Sequence, residues 1–270
     1  MFLNGIFKKK LSSKERNEKK MKKQSVGLLF LIMLLLCAVS SGETGLVAGD
    51  RVSFGKYPQR MKSQNVPADP EPIIWQVLAA DGEKVLLLAE RGLAGKPYNS
   101  KDHFLNDVTW ETCSLRTWLN NDFLTKAFSE EEQRAIQLTT LSTPDYKENG
   151  FVVSGGNNTV DKIYLLSPDE LGKYLRTDAS RICSPTQYAV YTGAGSSWYF
   201  YNDDSLAATS RDYNDVCNWW LRSPGEIGHF SSYCRFDGYI DRGGHYSGEK
   251  AYSVRPALWV NRSALAGKIQ

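Results

Sequence analysis

Two apolar runs toward the C-terminal end each enclose one arginine beside a proline: WWLRSPG, Trp219 to Gly225, and VRPALWV, Val254 to Val260. Runs of this composition read as buried strands. A guanidinium keeps its proton inside a protein, and an unpaired buried charge costs several kcal/mol or more. The chain must therefore fold so that carboxylates or carbonyls converge on Arg222 and Arg255. For these two and for Arg116, the expected partners are Glu111, Asp169, Glu170 or carbonyls at helix ends. Trp219 and Trp220 are adjacent, so in a strand they point to opposite faces, and at least one belongs to the core. Trp75, Trp110, Trp118 and Trp259 read the same way, as bulky aromatics joining sheet to helices.

The first forty residues read as targeting sequence rather than fold. Residues 1–23 carry nine Lys or Arg against Glu15 and Glu18, and residues 24–40 carry no charge. Removing them leaves 24 basic against 28 acidic side chains, with charges interspersed. The remainder is mildly acidic and has no basic patch for nucleic acid or anionic lipid. Lys22 and Lys23 precede a 14-residue apolar run, Val26 to Val39. A basic head with a short apolar body is the pattern of a secretory signal peptide, shorter than the ~20 residues that span a bilayer. The expected signal begins at Met21 and ends with cleavage after Ser40, which places the protein outside the cell or at its envelope. Membrane contact is expected only through that segment.

Beyond the signal stand Cys113, Cys183, Cys217 and Cys234. An exported chain with four cysteines admits one or two disulfides in any of three complete pairings, or buried free thiols. No CxxC or CxxH spacing points to zinc.

The local signals mix strands and helices. Arg51 to Tyr57 alternates as a strand, and Ile73 to Ala89 reads as two strands turned at Asp81-Gly82. Residues 58–71, rich in proline, read as a surface loop. Apolar Leu115, Trp118 and Leu119 share one helical face. Ser129 with Glu132, Ser167 with Glu170, and Ser184 with Gln187 each read as a capping box opening a short helix. Lys162 to Leu166 reads as a strand between them, and residues 141–160 as a loop. A long surface loop is expected from Thr192 to Asp215. Phe230 to Asp241 then reads as strands about Asp237-Gly238, with a glycine turn through Arg242-Gly243-Gly244 and a final strand at Tyr252 to Val260. The sum is a single α+β domain with an antiparallel sheet and short helices.

The ordered set GDRVSFGKY, PIIWQVL with KVLLLA, TWETCSLRTWLNNDF with AFSEEE, KIYLLSPDEL, CSPTQYA, WWLRSPG and VRPALWV resembles the bacterial domain of unknown function 6273. The likeness spans residues 46–262. The late tryptophan-arginine strand and the closing arginine strand are similar in layout to the C-type-lectin-like fold of formylglycine-generating enzymes. That resemblance implies a fold and no activity.

Recognition residues usually sit on irregular loops of a stable scaffold. Trp198, Tyr199, Tyr201, Asp203 and Asp204 combine flat apolar faces with acceptors suited to sugar hydroxyls, and His229, Arg235, Arg242, His245 and Tyr246 are expected to line the same side. The leading expectation is therefore a non-catalytic extracellular module that binds glycan or peptide at the cell envelope. The alternatives are a purely structural or adhesive envelope domain and an oxidase of the formylglycine-generating type. The oxidase would need a copper-binding thiolate pair, for which Cys217 and Cys234 are the candidates, while Arg242-Gly243-Gly244-His245 only echoes that family's motif. The three histidines, His103, His229 and His245, fit neither HExxH nor GxSxG. No cofactor is expected. Asp203, Asp204, Asp212 and Asp215 could gather calcium, but their spacing lacks the glycine and closing glutamate of an EF-hand.

Overall fold

Along Arg51–Tyr57, Val52 and Phe54 point inward and Arg51 and Lys56 outward, and a bulge at Gly55, φ 69°, resets the alternation so that Tyr57 is buried as well. The structure, a computed structural model, describes residues 45–100, 107–148, 150–195 and 216–270. Strand β1 (Arg51–Tyr57) is followed by a ribbon of β2 (Met61–Ser63) and β3 (Val66–Pro67), then β4 (Glu71–Asp81), β5 (Lys84–Ala89) and β6 (Ala94–Gly95). Helix α1 (Ser114–Trp118), a π turn at Leu119–Phe123, α2 (Leu124–Ala127) and α3 (Glu130–Ala135) come next. Short strands β7 (Thr139–Leu141), β8 (Tyr146–Glu148), β9 (Phe151–Val153) and β10 (Thr159–Asp161) precede α4 (Pro168–Tyr174), α5 (Asp178–Arg181) and α6 (Gln187–Tyr191). The chain closes with β11 (Trp219–Pro224), β12 (Phe230–Cys234), β13 (Ile240–Tyr246), β14 (Ser253–Val254) and β15 (Ala257–Asn261).

Two sheets organise these elements. The first has the order β1-β4-β5-β15, antiparallel throughout. The second has the order β13-β12-β11-β14-β6, antiparallel except for β11 against β14. The fold is therefore α+β, with mostly antiparallel sheets and short helices.

Residues 162–166 suture the sheets. Tyr164 exchanges backbone hydrogen bonds with Ala257 of β15, at 3.0 and 2.8 Å, while Leu166 O accepts from the Arg222 amide of β11 at 2.9 Å. Ile163, Tyr164, Leu165 and Leu166 are all buried. Arg222, 2 % exposed, clamps the junction. Its Nη1 donates to Leu165 O and to Glu170 Oε2, each at 2.8 Å, its Nε to Thr143 Oγ1, and its Nη2 to Ser142 O. Glu170 also accepts from the Ser167 amide in the α4 capping box, so one carboxylate joins helix start and buried strand.

The second arginine sits where the chain changes sheets. β14 belongs to the second sheet and β15 to the first, with Arg255 and Pro256 between them. The strand expected over Tyr252 to Val260 is thus two strands. Pro256 has no N–H for a ladder, and its carbonyl accepts from Ala89, where β5 leaves the first sheet. Arg255, 3 % exposed, donates to Ala89 O at 2.8 Å and to Arg181 O at 3.4 Å, and lies over the Trp219 ring. Carbonyl dipoles and a π face serve it where a carboxylate was one expectation. Arg116 pairs with Asp161 at 2.7 Å and takes only the backbone oxygen of Glu111.

Other expectations are corrected by tertiary contacts. Residues 162–166 form no strand; they bend at Lys162 and Ile163 and make a single bridge at Tyr164, and their hydrogen bonds divide between two sheets. The loops expected over residues 58–71 and 141–160 contain the β2–β3 and β8–β9 ribbons, and β7 and β10 pair across the second loop. Thr186, not Ser184, caps α6, and Cys113 caps α1 through its sulfur. The Arg242-Gly243-Gly244 turn is part of β13, where the register slips between Ser231 and Tyr233. The capping boxes at Ser129 and Ser167 and the hairpin turned at Gly82 form as expected. Trp75, Trp110, Trp219 and Trp220 are fully buried, while Trp118 and Trp259 are half-buried against the core.

Arg222→Leu strands Glu170 and three polar groups, so it is expected to cost about 3 kcal/mol or more and to lower the melting temperature by roughly 10 °C. Arg134→Ala, at an exposed pair with Glu130, serves as the control and should shift it by less than about 1 °C. Calorimetry of both proteins checks this; equal melts would remove Arg222 from its structural role.

Candidate binding face on the second sheet

The outer strands of the second sheet present a polar and aromatic surface. β12 and β13 form a hairpin about Gly238, whose φ of 86° suits glycine, and a Cβ there would lie 1.9 Å from the Asp178 carbonyl oxygen. Register counted outward from this turn places Tyr233 opposite Asp241 and Ser231 opposite His245. Residues directly opposite share a face.

Ring contacts run without a break from the core to this surface. Trp110 touches Tyr98, Tyr98 touches Trp220, and Trp220 packs on Tyr252 at 4.3 Å between centroids. Tyr252 meets Tyr233 at 4.7 Å and His245 at 5.5 Å, and His245 stacks with Phe230 at 6.2 Å and 25°. His229 extends the series against Phe230 and Tyr246. Every residue of β13 is half-buried.

Polar atoms are set among these rings. Burial first, then the Asp241 carboxylate, push the Tyr233 phenol up to about 12, so it stays a neutral donor at physiological pH. Tyr98, fully buried, donates to Arg222 O at 2.8 Å, and its pKa is raised by desolvation. His245 Nδ1 is a buried atom with no hydrogen-bond partner among the described residues, whereas the fully buried Ser231 hydroxyl lies against the Tyr98 phenol. Buried polar atoms in folded proteins nearly always find a partner, so His245 Nδ1 is an exception that asks for a ligand or water. Ser231 and His245 are neighbours, yet no hydrogen bond joins them. Ring faces and hydroxyl-binding atoms stand together on this part of the hairpin.

The residues expected at a site divide into groups. Trp198, Tyr199, Tyr201, Asp203 and Asp204 lie outside the described residues. His229, His245 and Tyr246 are gathered at one end of the hairpin through the ring contacts above. Arg242, adjacent in the strand to Asp241, points to the other face and pairs with Asp169 at 2.5 Å. There it lines a cleft of about 180 Å³ with Asp145, Lys147, Glu148, Ser223 and Pro224. Arg235 stands at the far end of β12, paired with Asp237 at 2.9 Å and set over Tyr239. One common side for all of them is therefore not what the fold provides. Tyr233, Asp241, Ser231 and Tyr252 were missed by the sequence reading; the register about Asp237-Gly238 was the available signal.

Cys217 Sγ lies 3.4 Å from Cys183 O, whereas Cys234 Sγ faces the carbonyls of Arg181 and Arg235. No group of three or more metal-ligating side chains occurs among the described residues.

A larger cleft of about 620 Å³ opens between β1 and the α2–α3 turn, lined by Gly55, Phe128, Glu132 and Lys268. Its carboxylate is already committed. Glu132 accepts from the Ser129 and Gly55 amides and faces Lys268 Nζ at 3.5 Å. Burial alone would raise its pKa, but those donors outweigh burial and hold it below an ordinary glutamate. A depressed carboxylate stabilises the fold above its unfolded pKa and loses that contribution as pH falls through the folded one. Glu132→Gln is therefore expected to lower the melting temperature at pH 7 and to converge with the unaltered protein toward pH 3; a constant gap across that range would contradict the assignment.

No curated protein and no solved structure matched the chain in sequence or fold comparisons. Residues 82–262 match the family described as a domain of unknown function, DUF6273. The match begins at the β4–β5 turn, so β1 and β4 precede it while completing the first sheet. With two thirds of its length matched, including both arginine strands and the β12–β13 face, the chain belongs to the DUF6273 family.

Proposed function

We propose that this protein is an exported, non-catalytic binding module that presents the β12–β13 face to a glycan of the cell envelope. The observation that carries the reading is His245 Nδ1, which has no partner among the described residues yet sits between Phe230 and Tyr252 rings. Aromatic faces stack on the apolar side of a sugar ring, while imidazole, phenol and carboxylate take its hydroxyls. Tyr233, Asp241 and His245 supply those three groups. Export rests on the basic and apolar pattern of residues 21–40. A C-type-lectin-like fold is part of the same proposal. In its favour, β1 runs beside the last residues of the chain, Ser53 N donating to Lys268 O and Gln270 N to Arg51 O, and the tryptophan-arginine strand lies in the second sheet.

The oxidase reading would join Cys217 to Cys234; the sulfur of Cys217 lies on the Cys183 carbonyl and that of Cys234 on the Arg181 carbonyl, which gives that reading less support than the ring face gives binding. A structural or adhesive role would use the same face against protein.

A glycan array probed with residues 41–270 should return at least one envelope-type glycan, and His245→Ala should weaken that binding by about tenfold or more while leaving the melt within a few degrees. Tyr233→Phe should weaken it less. An array without hits, joined to capture of a defined peptide on the same face, would transfer the site to a peptide ligand and end the glycan reading. Expressed in full in a bacterium, the secreted product should begin at Ser41; a product retained in the cytoplasm would contradict export.

A further inference from the structure

The four cysteines of the described fold are not equivalent. Cys113 is occupied at the start of α1, its sulfur accepting from the Arg116 amide at 3.4 Å and facing Trp110 O at 3.5 Å. Cys234 faces two carbonyl oxygens. Cys183 and Cys217 stand side by side: the Cys217 amide donates to Cys183 O at 2.9 Å, its thiol lies 3.4 Å from the same oxygen, and the two sulfurs are within hydrogen-bonding reach of each other. Both are fully buried.

We propose that Cys183 and Cys217 are a disulfide-forming pair that closes when the protein is oxidised, leaving Cys113 and Cys234 as thiols. Geometry is the first reason. A direct backbone hydrogen bond, with the Cys217 sulfur resting on the Cys183 carbonyl, brings the two residues as close as a disulfide requires of its neighbours. Crowding is the second: a Cβ added at Gly92 would meet Ser253 Oγ at 1.9 Å and Cys217 Sγ at 3.4 Å, so the sulfur is held in place by the crossing strands. Reactivity is the third. The hydrogen bond from Cys217, against the opposing effect of burial, and the Arg255 guanidinium lower the Cys183 pKa below that of an ordinary thiol, while that of Cys217 is raised.

The oxidant is a disulfide. Cys183 thiolate attacks one of its sulfurs and expels the other half as a thiolate; Cys217, deprotonated as it reacts, attacks Cys183 sulfur and expels the second half. Two protein thiols lose two protons and two electrons, and the oxidant becomes two thiols. Because both sulfurs are buried, the exchange belongs to folding or to local opening.

Refolding the full chain in glutathione buffers of increasing oxidised fraction, then blocking free thiols and digesting with trypsin without reduction, tests this. Trypsin separates the four cysteines onto peptides 102–116, 182–211, 212–222 and 223–235. The expected result is a cross-link between 182–211 and 212–222 in the protease-resistant fraction, with 102–116 and 223–235 blocked as free thiols. Reduction should then lower the melting temperature by roughly 10 °C. Free thiols or glutathione adducts at 183 and 217 under every buffer, or a cross-link to 102–116 or 223–235, would overturn the pairing.

Discussion

A guanidinium shut inside an apolar strand is the constraint around which this fold is arranged. Arg222 cannot be neutralised and cannot reach water, so the protein brings Ser142, Thr143, Leu165 and Glu170 to it. Those groups come from the segment after β7, from the suture at residues 162–166 and from the first turn of α4. Satisfying one side chain thereby fixes the relative placement of both sheets and a helix. Arg255 does the equivalent where two chain segments cross between the sheets, holding Ala89 O and Arg181 O over the Trp219 ring. Neither guanidinium points to a ligand.

This division explains where recognition can reside. Strands β11 and β14 are consumed by packing, while β13 is an edge strand that is half-buried along its length. The bulge at Gly243-Gly244 twists this edge and sends Arg242 to Asp169 on one face and His245 toward Tyr252 on the other. The rigid run of rings behind His245 supplies a fixed backing for a surface whose polar atoms are incompletely used.

The parts of this architecture legible in the sequence are those decided locally. Capping boxes at Ser129 and Ser167 and the turns at Gly82 and Gly238 depend on residues a few positions apart, and each formed where its residues predicted. The buried arginines were legible because a charge in an apolar run admits few solutions. Partner identity was not, since Asp161 for Arg116 and Ala89 O for Arg255 depend on tertiary placement. Residues 162–166 look like a strand by composition, and only the division of their hydrogen bonds between two sheets makes them a suture. Tyr252 to Val260 reads as continuous, and only the sheet change at Pro256 divides it. At the candidate face, single aromatics in loops drew attention away from Tyr233 and Asp241, whose pairing follows from hairpin register. The family match, beginning at Gly82, adds that the arginine strands and this face travel together in one domain.

The central claim is that residues 162–166, clamped by Arg222, unite the two sheets into one cooperative unit. Native-state hydrogen exchange tests it most directly. The amides of Tyr164, Arg222 and Ala257 are predicted to exchange only through global unfolding, with one shared free energy and one shared denaturant dependence, while the exposed β8–β9 ribbon exchanges far sooner. Exchange of Arg222 and Ala257 with separate free energies, one sheet opening while the other stays closed, would contradict it.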